Sequence, residues 1–146
     1  MKKTIIYAAA MVFFLFSLVM TTYAQEDLMR EGKQVIEKSK LLMNEGQMIK
    51  NIKAPDRAWL VDEGHMLIKQ GMDTIEAGEM MYTDHGRVNM EEISVKFRQS
   101  GGMLLKRGRQ KGELTQEEKA ALMKEGDKMI EFGKLMLEKG KFMAGE

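Results

Sequence analysis

Towards its end the chain repeats one phrase: a glycine, then large apolar residues three and four positions on, with charged residues between. It reads Gly126 with Met129 and Ile130, Gly133 with Met136 and Leu137, and Gly140 with Met143. Apolar residues recurring at these spacings predict an amphipathic α-helix. The phrase recurs three times upstream, so the pattern predicts four helices. The first covers about 26–52, with small residues Gly32, Ser39 and Gly46 and apolar Val35, Ile36, Leu42, Met43 and Ile49. The second, about 55–82, carries Gly64, Gly71 and Gly78 with Leu67, Ile68, Ile75, Met81 and Tyr82. The third carries Ser94, Gly101 and Gly108 with Phe97, Leu104 and Leu105, and the fourth holds the opening phrase.

Turn chemistry separates these stretches. Lys53-Ala54-Pro55-Asp56 breaks the first helix, and Pro55 suits the first turn of the next. Thr83-Asp84-His85-Gly86 reads as a turn, followed by Asn89 and Glu92 as a capping box opening the third helix. Thr115 with Glu118 forms a second capping box at the start of the fourth. A shift of 62 residues carries Gly32, Ser39 and Gly46 onto Ser94, Gly101 and Gly108. The same shift carries Gly64, Gly71 and Gly78 onto Gly126, Gly133 and Gly140. A common offset predicts a duplicated helical hairpin, 25–86 and 87–146, within one domain at 25–146. The expected fold is all-α, an antiparallel up-down four-helix bundle with glycine heptads at the helix seams.

With the small position labelled a, the plus-three and plus-four residues are d and e. At about 100° per residue they flank a, which places glycine within the apolar stripe. Glycine inside a helix costs about 1 kcal/mol relative to alanine. So many of them demand an offsetting gain, expected from close approach of neighbouring helices. The structural glycines are then Gly32, Gly46, Gly64, Gly71, Gly78, Gly101, Gly108, Gly126, Gly133 and Gly140. Glu31, Glu45, Glu63 and Glu125 each precede a glycine, at position g, and are expected to be solvated flank charges.

Position c is expected opposite the seam, yet it holds Leu41, Met48, Met66, Met80, Met103, Leu135 and Phe142, against polar Gln34, Asp73, Lys96 and Lys128. An exposed apolar row of this kind marks an interface, and methionine is over-used on surfaces that accept varied partners. The expected partner is protein, a second copy or a client; nothing in the sequence singles out a membrane surface.

Composition narrows the function further. Met1-Lys2-Lys3, an apolar run over 5–20 and Thr22/Ala24 describe a secretory signal peptide at 1–24. An exported, periplasmic protein is therefore expected. Beyond residue 24 there remain 21 basic and 22 acidic side chains, a balance unlike that of a nucleic-acid binder. Zero cysteines exclude a lipid-acylated terminus, a thiolate metal site and cysteine catalysis. With two histidines and no phosphate loop, nucleophile elbow or zinc motif, no enzymatic activity is expected.

Thirteen of the 16 methionines lie beyond the leader, and thioether with imidazole suits monovalent copper. The candidate ligands are Met81, His85 and Met90, with His65 beside Met66 as a second cluster. Copper binding is the alternative to protein binding. Leu114-Thr115-Gln116-Glu117-Glu118 resembles the Leu-Thr-x-x-Gln phrase of small periplasmic stress chaperones, with Glu118 in place of the glutamine. The resemblance covers these five residues and implies client binding.

Overall fold

The computed structural model describes the backbone of residues 2–146 and the side chains of residues 20–146. The expected leader, 1–24, lies largely outside the residues whose side chains are described. Four helices follow in order: α1 (Lys2–Asn51), α2 (Arg57–Glu79), α3 (Asp84–Gly108) and α4 (Gln116–Ala144). No strand occurs among the described residues. None of their helices is long and apolar enough to cross a membrane.

The helix ends have local causes. Asp56 opens α2 by accepting from the Trp59 amide at 2.7 Å. Thr115 and Glu118 form a reciprocal capping box that opens α4. Gly145, at φ 74°, closes α4 in the left-handed region where a side chain would be strained. α1, expected to begin at about residue 26, begins at Lys2, and the third helix also departs from the sequence expectation. It begins at Asp84 with Thr83 as its cap, so the stretch read as a turn is its first turn. Asn89, read as the cap, is buried inside the helix and donates to the Met143 sulfur at 3.2 Å. The cause is tertiary: Glu31 of α1 holds the backbone just ahead of α3, as described below.

Helix pairing is selective. α1 packs along α4 and α2 along α3, while α3 touches α1 and α4 more sparingly. Sequence neighbours α1 and α2 stand apart. Within each pair the backbones almost touch. A Cβ on Gly126 would lie 2.5 Å from the Gly46 carbonyl oxygen, and one on Gly46 would lie 2.7 Å from that of Gly126. Gly64 and Gly101 face each other in the same way across α2 and α3, at 2.8 and 2.7 Å. The e residues of one helix then close over the glycines of its partner: Ile36 over Gly140, Ile68 over Gly101, Ile130 over Gly46.

The d residues point the other way, into the space between the two pairs. Val35, Leu42, Ile49, Leu60, Leu67, Phe97, Leu104, Leu122, Met129 and Met136 are at most 1 % exposed there. Burying such a side chain stabilises the fold by about 1.5–3 kcal/mol relative to leaving it in water. Each helix therefore has two inner faces, a glycine face against its close partner and an apolar face against the other pair.

The two seams match each other at an offset the sequence did not single out. Gly71 lies against Ser94, and Gly133 against Ser39. Gly101 with Ile68 corresponds to Gly46 with Ile130. Thus α4 stands in for α2 at an offset of 62, but α1 stands in for α3 at an offset of 55, since Ser39 takes the place of Ser94. A common 62-residue shift misplaces α1 by one heptad. At the small positions the sequence favours the 62-residue shift, because a shift of 55 sets Gly32 against Arg87.

Gly102 supplies an internal control, since a Cβ there would meet nothing within 4 Å. Gly102→Ala is expected to raise stability by up to ~1 kcal/mol. Gly126→Ala, which drives a methyl into the Gly46 carbonyl, is expected to lower it by about 1–3 kcal/mol. Urea unfolding of the two variants measures the difference, and equal responses would contradict a backbone-to-backbone seam.

Candidate functional site: carboxylates buried between the helix pairs

Position g lies about 40° from d on the helix surface, on the side away from e. Once the seam consumes a and e, g turns inward with d. The glutamates that precede the glycines are therefore buried, which corrects the expectation of solvated flank charges. Glu31 is 1 % exposed and Glu63 is 6 % exposed, while Glu45 and Glu125 are half-buried. A buried carboxylate must find partners or stay protonated, and these four resolve that requirement differently.

Glu31 uses backbone. Its carboxylate accepts from the Tyr82 amide at 2.6 Å and the Thr83 amide at 3.2 Å, and also from the Thr83 hydroxyl. The Thr83 oxygen in turn accepts from the Gly86 amide at 3.0 Å, which caps α3. One side chain of α1 thus fixes the α2–α3 turn and the start of α3.

Glu125 of α4 uses α3. It accepts from the Lys96 ammonium at 2.7 Å and from the Ser100 hydroxyl at 2.7 Å, with Lys128 3.6 Å away. Burial would push this carboxyl up, but those hydrogen bonds and ammonium charges outweigh it and hold it below the ordinary range.

Glu45 and Glu63 have only each other. Burial raises both above the ordinary value of 4.5, and Glu63 reaches about 7 because the Glu45 charge and its role as hydrogen-bond donor add to burial. Both carboxyls therefore favour the protonated form more than a free glutamate does. Glu45 Oε2 and Glu63 Oε1 remain buried without a hydrogen-bond partner.

A fifth carboxylate ties the far end together. Arg57, at the start of α2, grips Glu118 through both carboxylate oxygens at 2.8 and 2.9 Å. The same guanidinium donates to the carbonyls of Arg107, Gly112 and Glu113. It therefore satisfies the end of α3 and its loop while clamping the cap of α4. The Arg57 hydrogen bonds, then the Thr115 amide, hold the Glu118 carboxyl at about 2.

The residues named from sequence for copper are split. Met81 and Met90 are buried in the core, whereas His85 is exposed on the first turn of α3. His85 instead lines a cavity of about 420 Å³ with Leu28, Val88, Asn89, Lys139, Phe142 and Met143. His65 is exposed beside Met66. Among the described residues no group of three or more His, Cys, Asp or Glu side chains could hold a metal ion.

The c row is divided as well. Leu41 and Met103 are half-buried against the core, because c adjoins the inward-facing g position. Met48, Met66, Met80, Leu135 and Phe142 are exposed, Met80 by 76 % and Phe142 by 87 %. The stretch Leu114–Glu118, compared above with a chaperone phrase, is occupied in capping α4 and in holding Arg57.

The signal for the buried carboxylates was present in the sequence as Glu immediately before Gly, four times. Reading it required knowing which flank of the glycine stripe faces the core. Compared with protein-family models, curated proteins and solved structures, the chain matches none.

The carboxylates set opposite pH dependences. Glu63 binds its proton more tightly folded than unfolded, so stability should fall as pH rises from about 4.5 through 7. Glu118 and Glu125 have lowered values, so their contribution is present above about 4.5 and is lost as pH falls through their folded values, about 2 for Glu118. The melting temperature should therefore drop between pH 5 and pH 8. Glu63→Gln is expected to remove most of that drop and to raise the melting temperature at pH 8. A variant less stable than the parent at pH 8 would contradict the assignment.

Proposed function

We propose that the chain is an exported, non-enzymatic helical bundle that binds itself or protein clients through apolar methionine and leucine faces. The observation that carries the proposal is the exposure of Phe142 and Met80, by 87 % and 76 %, together with that of Leu135, Met66 and Met48. A protein exposing several large apolar residues keeps them wet at a cost unless a partner covers them. Their flexibility suits a surface that accepts more than one shape. The leader-like residues 1–24 support export.

The proposed architecture behind this surface is a duplicated helical hairpin with glycine heptads at its seams. The Gly71–Ser94 and Gly133–Ser39 contacts support it. The offsets of 55 and 62 support a second hairpin longer by one heptad between its two helices. The loop from α3 to α4 is two residues longer than that from α1 to α2, and the other five residues of the heptad lengthen the end of α3 by two and the start of α4 by three.

The test compares the parent chain with Leu135→Ser/Phe142→Ser, which alters exposed side chains only. Light scattering measures self-association, and suppression of aggregation of a chemically unfolded protein measures client binding. The parent is expected to score in at least one assay, and the double variant to lose several-fold in it at unchanged melting temperature. A strictly monomeric parent that neither protects the unfolded protein nor binds a hydrophobic dye would end the proposal.

A further inference from the structure

The two halves of the bundle can be laid on each other through the seam equivalence: α1 residues match α3 residues 55 further on, and α2 residues match α4 residues 62 further on. That correspondence turns the two outer faces into versions of one site. On the α3–α4 face, Glu125 accepts from Ser100 and from the Lys96 ammonium, both at 2.7 Å. On the α1–α2 face, Glu63 takes the place of Glu125, Glu45 takes the place of Ser100, and Leu41 takes the place of Lys96. The same carboxylate has thus lost its cation and gained a second carboxylate.

Three further observations single out this face. Glu63 is 6 % exposed, and its Oε1 and the Oε2 of Glu45 are buried with no hydrogen-bond partner. α3 and α4 approach each other more closely than α1 and α2 do, and on the α1–α2 face carboxyl meets carboxyl with no lysine between them. A cleft of about 420 Å³ is lined by Asn44, Gln47, Met48, Asn51, Ile52 and Trp59, of which Asn44 adjoins Glu45 in sequence and Trp59 lies one helical turn before Glu63.

We propose that the α1–α2 face is a binding site for a primary ammonium group, which takes at Glu45 and Glu63 the place that Lys96 fills at Glu125. An ammonium brings a single positive charge and three N–H donors, and so satisfies the two orphaned oxygens together. The aliphatic remainder of the ligand lies along Met48 and Ile52, with Trp59 at the mouth of the cleft. Two carboxylates without a third protein ligand are a poor cage for a divalent transition metal. The raised titration of the pair follows from the same arrangement, since it has no cation of its own.

The chemistry fits a small free amine or a lysine side chain of a partner. Trp59 is the only tryptophan, so its emission reports on the cleft. The full chain is titrated at pH 7 with n-butylamine, with 1,4-diaminobutane and with Nα-acetyl-lysine amide, and in parallel with tetramethylammonium and magnesium. Saturable binding of a primary amine is expected, at least about tenfold tighter than tetramethylammonium, which has no N–H donor. Tighter binding of the lysine derivative assigns the site to a protein side chain; tighter binding of an alkylamine assigns it to a free amine.

Glu45→Gln and Glu63→Gln should each weaken binding at least about tenfold, while Glu125→Gln, on the other face, leaves it unchanged. Leu41→Lys restores the missing cation within the chain. It should raise the melting temperature at pH 8 and abolish amine binding. The proposal is overturned if no primary amine saturates the folded chain by about 10 mM, or if magnesium or tetramethylammonium binds as well. It is equally overturned if Glu63→Gln binds like the parent, or if Leu41→Lys leaves amine binding intact.

Discussion

At Gly46 and Gly126 the backbones of α1 and α4 approach until a single methyl group could not be inserted between them, and Gly64 and Gly101 repeat this between α2 and α3. The rest of the structure depends on that approach. Helical glycines, at about 1 kcal/mol each relative to alanine, cost on the order of 10 kcal/mol together, a sum as large as the net stability of a domain. Dispersion contacts along two continuous backbone seams, closed by Ile36, Ile68 and Ile130, offset it. The seams also decide what remains. With a and e committed to the close partner, only d and g are left to build the core, and every glutamate in front of a seam glycine is drawn inside.

The bundle is therefore better described as two tight pairs joined through a softer middle than as four equivalent helices. The middle is rich in methionine and leucine, with Met81, Met90, Met129, Met136 and Met143 among its buried members. Such side chains fill space without enforcing one register. Register between the pairs falls to the polar cross-links: Glu31 on the α2–α3 turn, Arg57 on Glu118, Lys96 on Glu125 and Lys139 on Glu92. The buried ones among these contribute little net stability when paired but penalise misplacement strongly, whereas the Lys139–Glu92 pair is solvent-exposed. The Glu45–Glu63 pair breaks the scheme, because there carboxyl meets carboxyl with no cation between them.

Outside, the row that carries the proposed interaction surface begins where the core ends. Position c adjoins g, so Leu41 and Met103 lean on the core while Met48, Met66, Leu135 and Phe142 extend the same apolar chemistry into solvent. Core and surface are continuous across that edge. A partner that covers Phe142 would therefore lengthen an existing apolar layer rather than create a new one.

The sequence by itself determined that the chain forms four helices, where the first gives way to the second, and the α4 cap, because these follow from period and turn chemistry. It did not determine where α3 begins, because the group that completes the Thr83 cap is Glu31, more than fifty residues away. Nor did it determine the pairing of α1 with α4, and for α1 against α3 its small positions favoured a shift one heptad away from that of the seam contacts. Above all it left open which flank of the glycine stripe faces the core. At the level of one helix d and e are equally apolar, and only the partner helix, by claiming e, turns d and the glutamates at g inward.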